Sequence, residues 1–123
     1  MLKLMIVDDS NIIRRKIERA QSRSRFEVVG AAVNGADAVE KFQQWSPDVV
    51  TMDLTMPEMD GIQCIRTLIN LNPDVLILVV SALSDKATGI EALEQGASGF
   101  LCKPFNDEKL IDALNELTEG VHV

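Results

Sequence analysis

The chain is short of the residues on which several kinds of site depend. Its 123 residues include two cysteines and one histidine. Cys64 and Cys102 lie far apart with no CxxC pattern and no neighbouring histidine, so neither a zinc site nor a redox pair is suggested, and buried reduced thiols are expected. His122 stands beside the C-terminus, where a chain frays, which excludes a histidine-based triad or a multi-histidine metal site. Any chemistry must therefore run on carboxylates. Cations are scarce too: 12 Lys and Arg against 19 Asp and Glu leave a net charge of -7, which disfavours a phosphate-backbone partner and so direct binding to nucleic acid. Long apolar runs are missing. Met1 to Val7 ends abruptly at Asp8-Asp9, too short for a signal-peptide core with its cleavage site or for a membrane span, so a cytoplasmic protein with no membrane insertion is expected. No GxGxxG follows this first run, which weighs against a nucleotide or flavin module.

What is present is a regular alternation. A hydrophobic content of 46% supports a sizeable core and leaves little room for a second domain, so residues 1–123 are read as a single domain. Short runs rich in Val, Ile and Leu alternate five times with amphipathic stretches, which predicts parallel strands covered by helices on both faces. The spacing predicts strands at 2–7, 26–32, 48–52, 75–80 and 99–102. Helices are predicted at 11–21, from Asn34-Gly35 to 45, from the 57–60 loop to Asn72-Pro73, at 85–95 and at 107–119. The inward stripes are Ile12, Ile13, Ile17 and Ala20 in the first helix, and Ala38, Val39, Phe42 and Trp45 in the second. Ile62, Ile65, Leu68 and Ile69 line the third, and Leu110, Ile111, Leu114 and Leu117 the fifth. Arg14, Arg15, Lys16, Glu18 and Arg19 point mainly to water. The fourth helix has only Ala87, Ile90, Leu93 and Ala92 to bury, so its anchoring is weak, and Gly96 is expected to end it.

The stretch from Val49 to Gly61 delivers Asp53 to the start of a loop. Other polar residues gather at strand ends: Asp8 and Asp9 after the first, Ser81 after the fourth, Lys103 after the fifth. That edge of a parallel α/β sheet is where ligands bind. Each residue has an ordinary reading, as a helix cap, a turn former or a solvated charge. Their joint occurrence at four strand ends outweighs those readings. Carboxylates about 5 Å apart, at an effective dielectric near 20, repel by about 3 kcal/mol per pair. Lys103 offers one compensating charge and a small hard dication two, which suits Mg²⁺. With both in place, Asp53 would attack an incoming phosphorus to give an acyl phosphate.

Four stretches carry a resemblance: Ile6-Val7-Asp8-Asp9-Ser10; Asp53 with Met56-Pro57-Glu58-Met59-Asp60-Gly61; Val80-Ser81-Ala82; and Gly96 to Phe105, which includes Lys103-Pro104. Together they closely resemble the receiver domain of two-component response regulators, over essentially the whole chain. The resemblance implies a flavodoxin-like (βα)5 doubly wound sandwich whose five-stranded parallel sheet has the order 2-1-3-4-5, an order that comes from the family and not from spacing. It implies that Asp53 accepts a phosphoryl group from a sensor histidine kinase. Asp8, Asp9, Asp53 and the backbone carbonyl of Thr55 would hold Mg²⁺. Ser81 would shift inward to hydrogen-bond the phosphoryl oxygens, and Lys103 would pair with them. A cis bond between Lys103 and Pro104 is implied as well. Phe100 falls at the family's rotating aromatic position, often tyrosine, with a permanently buried ring as the alternative. Thr55 and Leu83 occupy positions that tune hydrolysis, and neither carries an acid or amide to orient a water.

The resulting reading is a signalling switch and not an enzyme, with self-phosphorylation and self-dephosphorylation at Asp53 only. Its output surface would be the fourth helix, fifth strand and fifth helix. The target would be a flagellar motor component or another signalling protein, since the chain's size suggests a stand-alone chemotaxis regulator, either monomeric or dimerising on phosphorylation. Met1 and the tail Gly120-Val121-His122-Val123 fit a complete protein. One alternative is a receiver cut from a longer regulator with a DNA-binding or enzymatic output domain. Another is a Mg²⁺-dependent phosphatase of haloacid dehalogenase type, which wants a second acid where Thr55 stands.

Overall fold

The computed structural model describes residues 1–21, 25–54, 61–82 and 86–121. Its elements run β1 (Leu2–Val7), α1 (Asn11–Ala20), β2 (Phe26–Ala32), α2 (Gly35–Trp45), β3 (Val49–Met52), α3 (Gly61–Leu71), β4 (Leu76–Ala82), α4 (Lys86–Glu94), β5 (Gly99–Lys103) and α5 (Asp107–Leu117). The strands are all parallel, in the order β2-β1-β3-β4-β5, as the family resemblance implies. β4 and β5 extend beyond their predicted ends. Ser81 and Lys103 therefore lie on the ladder itself, with Ser81 beside Cys102 and Ala82 beside Lys103.

Alternation along the strands divides the core into two. Met5, Val7, Val50, Met52, Ile77 and Val79 face α2, α3 and α4, where they meet Ala38, Phe42, Cys64, Ile65, Leu68 and Ala92. Leu4, Ile6, Val49, Leu78 and Val80 face the other way, onto Ile17 of α1 and Leu110 and Leu114 of α5. Both faces of the central strands are thus dry, which is why they read as continuous apolar runs and not as alternating ones. Side chains cap three of the helices: Ser10 accepts from Ile13 N, Asn34 from Asp37 N and Asn106 from Lys109 N. Each satisfies a donor that the first helical turn leaves without a partner. Gly96, at φ 118°, follows α4 in a conformation that side chains disfavour.

Four stripe residues need correction. Ile12 is 76% exposed. At 3.6 residues per turn it lies about 140° round the helix from Ile17, so it cannot share the buried line of Ile13, Ile17 and Ala20. In α4 the buried positions are Gly89 and Ala92, while Ala87, Ile90 and Leu93 are exposed. The small residues face inward because the ring of Phe100 occupies the space over Gly89. A Cβ on Gly89 would come within 2.3 Å of that ring. Neither cysteine forms a disulfide; Cys64 is buried, but Cys102 is only partly so.

Candidate functional site

The register between β1 and β3 pairs Val7 with Met52, so Asp8 and Asp53 occupy the next rung side by side. Backbone bonds hold both: Asp8 N donates to Ala32 O at 3.1 Å and Asp53 N to Val7 O at 2.9 Å. Their residues are only 1% and 3% exposed, respectively, whereas Asp9 is exposed at the rim. Burying two carboxylates is costly without partners. The partners come from several elements. Ser10 N donates to Asp8 Oδ1 at 2.8 Å. Lys103 Nζ, brought over from β5, lies 3.0 Å from Asp8 Oδ2 and 3.8 Å from Asp53 Oδ1. Among the described residues, one ammonium therefore serves two carboxylates, and the three carboxylates of the pocket outnumber it.

That excess bears on a cation. Asp8, Asp9 and Asp53 each present a carboxylate oxygen, and these oxygens all lie within 4.8 Å of one another. An all-oxygen, anionic donor set with one ligand at a solvent-exposed rim fits a hard divalent ion that retains some of its water. Thr55, expected to add a carbonyl, lies outside the described residues, as do Leu83 and the 56–60 segment. The described residues that flank 55–60 are bonded to each other. Gly61 N donates to Leu54 O at 3.0 Å, and a Cβ on Gly61 would stand 2.5 Å from Leu54 Cα and 2.8 Å from Asp53 O. Only glycine lets α3 begin this close to the backbone that carries Asp53.

Ser81 is fully buried at the end of β4, two positions beyond Val79, which pairs with Met52. Phe100 is partly buried and packs against the core on the α3 and α4 side. The Lys103-Pro104 bond is cis, as the resemblance implies. Two α1 residues read as solvated are in fact tied inward. Arg14 Nη1 donates to Asp8 O at 2.7 Å. Lys16 Nζ donates to Phe105 O and stands 4.7 Å from the centroid of the Phe105 ring. Helical periodicity holds no signal for the Lys16 contact, which spans 89 positions of sequence.

A doubly wound parallel sheet with a lysine-bridged acidic pocket at its strand ends defines the class as a receiver-type α/β domain. The chain belongs to the response regulator receiver domain family, whose model matches residues 4–115. It is 40% identical over 117 residues to the chemotaxis protein CheY of Thermotoga maritima, covering 95% of this chain and 98% of that protein. It is also 46% identical over 109 residues to protein-glutamate methylesterase/protein-glutamine glutaminase 1 of Vibrio cholerae, covering 86% of this chain and 29% of that protein. Among solved structures, the CheX-CheY-BeF3-Mg²⁺ complex from Borrelia burgdorferi matches with a TM-score of 0.89 and 28% identity, over 94% of this chain and 88% of that one. The protein is thus a response regulator receiver, a signalling switch by class. Among the described residues, no helix is long and apolar enough to cross a membrane.

Proposed function

We propose that Asp53 is the phosphoacceptor. In the reaction, an Asp53 carboxylate oxygen forms a bond to phosphorus while the bond from phosphorus to the histidine nitrogen of a sensor kinase breaks. The electron pair returns to the imidazole, which takes up a proton. Asp8, Asp9, Asp53 and the Thr55 carbonyl are the residues that would hold Mg²⁺, whose charge would offset that of the phosphoryl oxygens. The observation that carries this reading is the single Lys103 ammonium shared by the two buried carboxylates. It supplies fixed positive charge at the position where a phosphoryl group on Asp53 would add about -1.5 to -2.

Phosphorylation gives Lys103 and the Ser81 hydroxyl a new set of acceptor oxygens. Ser81 moving toward them would open space beside β5 for the Phe100 ring. The output is then a change in the face made by α4, β5 and α5, where α4 is anchored by little more than Gly89 and Ala92. The similarity to chemotaxis regulators supports a protein target in that pathway, a flagellar motor component or another signalling protein, in the cytoplasm. The match to only 29% of the Vibrio methylesterase favours a second reading, in which the same receiver controls an attached output domain.

The test is labelling by acetyl phosphate with Mg²⁺, followed by intact mass. The wild-type chain should gain one phosphoryl group and the Asp53→Asn variant none; persistent labelling of the variant would sink the assignment. Sustained turnover of a small phosphate ester would point instead to the phosphatase reading.

A further inference from the structure

We propose that the α4-β5-α5 face takes a cationic amphipathic segment of a partner protein, anchored by one bulky apolar side chain beside Phe100. The proposal rests on the reading of this face as the output surface and adds the chemistry of what docks there. Two cavities flank β5, and Phe100 lines both. The first, of about 190 Å³, is lined by Gly89, Ile90, Leu93 and Phe100 itself. Its walls are entirely apolar, and Ile90 and Leu93 are 51% and 42% exposed, a loss that an apolar side chain from a partner would reverse. Glycine at position 89 of α4 lets the ring sit against the helix, where a Cβ would meet it at 2.3 Å.

The second cavity, of about 400 Å³, lies on the opposite face of β5, the face shared with Leu78, and is lined in part by Ser98, Ala113, Glu116 and Leu117. Glu116 places a carboxylate on its wall. Charge around the groove is strongly one-sided. Glu94, Asp107, Glu108, Asp112 and Glu116 are all exposed on α4 and α5, against Lys86 and Lys109 as the only cations in those helices, while Glu91 lies on the α3 side of α4, in a cavity that Arg66 also lines. The cations of α1, Arg14, Arg15, Lys16 and Arg19, belong to a different helix. An acidic segment, a nucleic acid or a second copy presenting this same face would each be repelled. A helix with one Leu, Ile or Phe and with Lys or Arg a turn or two away would place the anchor by Gly89 and the charges near Glu116 and Asp112.

The test uses two synthetic helical peptides of roughly 16 residues, identical in their Leu and Phe positions, one carrying Lys and the other Glu at the remaining face positions. Each is titrated into the full chain, with and without beryllofluoride and Mg²⁺, and followed by NMR and fluorescence anisotropy. The Lys peptide should bind at least about tenfold tighter at low salt, with shifts at Ile90, Leu93, Phe100 and Glu116, and should weaken as salt rises. Ile90→Ser should weaken it about tenfold. The double variant Asp112→Lys with Glu116→Lys should reverse the order of the two peptides. Equal affinities, binding of neither peptide, shifts mapping elsewhere, self-association through this face, or indifference to both variants would each overturn the proposal. Labelling of Asp53 is measured in parallel. Its failure would count against the phosphoacceptor reading alone, because the peptide order is also read on the unphosphorylated chain.

Discussion

Lys103 is closer to Asp8 than to Asp53: its Nζ lies 3.0 Å from Asp8 Oδ2 and 3.8 Å from Asp53 Oδ1. The lysine of β5 thus reaches past β4 and β3 to the carboxylate that follows β1. Asp8 has committed Oδ1 to Ser10 N, and its other oxygen takes the ammonium. A receiver in this arrangement keeps its lysine within reach of Asp53 without giving that residue the shorter contact. A phosphoryl group on Asp53 would compete with Asp8 for the same cation.

Lys103→Ala tests how much this shared charge contributes. Removing one partner of a fully buried pair costs roughly 3–5 kcal/mol. Lys103 has a side chain 23% exposed, so solvent screening lowers the expected loss to about 2–3 kcal/mol in metal-free buffer. Mg²⁺ at ten times its dissociation constant should restore about 1.4 kcal/mol. The variant should still label at Asp53 while failing to transmit the change to the α4-β5-α5 face. Urea unfolding with and without Mg²⁺ checks the first part, with an unchanged metal response in Asp8→Asn counting against the carboxylate cluster as the cation site. NMR shifts on labelling check the second.

Gly61→Ala should destabilise by about 2 kcal/mol, within the range for overpacking. The atoms a Cβ would meet, Leu54 Cα and Asp53 O, are backbone and cannot swing aside. Relief would displace the chain that carries Asp53, so labelling by acetyl phosphate should slow as well. Denaturation midpoints together with labelling rates would show whether both effects occur, and normal values for both would refute the close-approach argument.

Lys16→Met should cost about 1–2 kcal/mol. It removes a charged hydrogen bond to Phe105 O and a cation held over the Phe105 ring, each a contribution of about that order or less. Lys16→Arg should recover part of the loss. Because Phe105 follows Lys103 by two residues, amide exchange in the segment after β5 should quicken in the Met variant. Unchanged protection there would mean that α1 does not hold this segment.

Gly89→Ala pits two effects against each other. Alanine improves an internal helical position by about 1 kcal/mol, while its Cβ must push aside the ring of Phe100, a movable side chain. In the wild-type background the effects should nearly cancel, whereas in a Phe100→Leu background Gly89→Ala should stabilise by close to the full helix term. A double-mutant cycle by chemical denaturation reads the coupling. A cycle that closes with no coupling would show that the ring does not rest on Gly89.

Much of this protein was legible from its sequence. Five apolar runs and five amphipathic stretches are local patterns, and they determined the parallel α/β class, nearly every element, and the gathering of Asp8, Asp9, Asp53, Ser81 and Lys103 at one edge. The motif match added the strand order and the cis Lys103-Pro104 bond. The spacing of the two cysteines and the terminal place of the one histidine turned the reading toward carboxylates. Local pattern failed where a residue's environment comes from distant elements. Ile12 and Ile90 look like core residues by composition, yet they fall off the buried line of their helices.

Only the tertiary structure decided which partners meet. Lys103 bonds first to Asp8 because strand register and the Ser10 bond leave that oxygen facing it. Lys16 turns from solvent to the backbone of the Phe105 segment because α1 packs beside α5 on one face of the sheet. Gly89 matters only because β5 lays Phe100 across it. Hydrophobic period is a property of neighbours in the chain and survives without a fold. Ion pairs, carbonyl contacts and ring seats depend on separations of a few ångströms between residues tens of positions apart, and the packed sheet is what sets those distances.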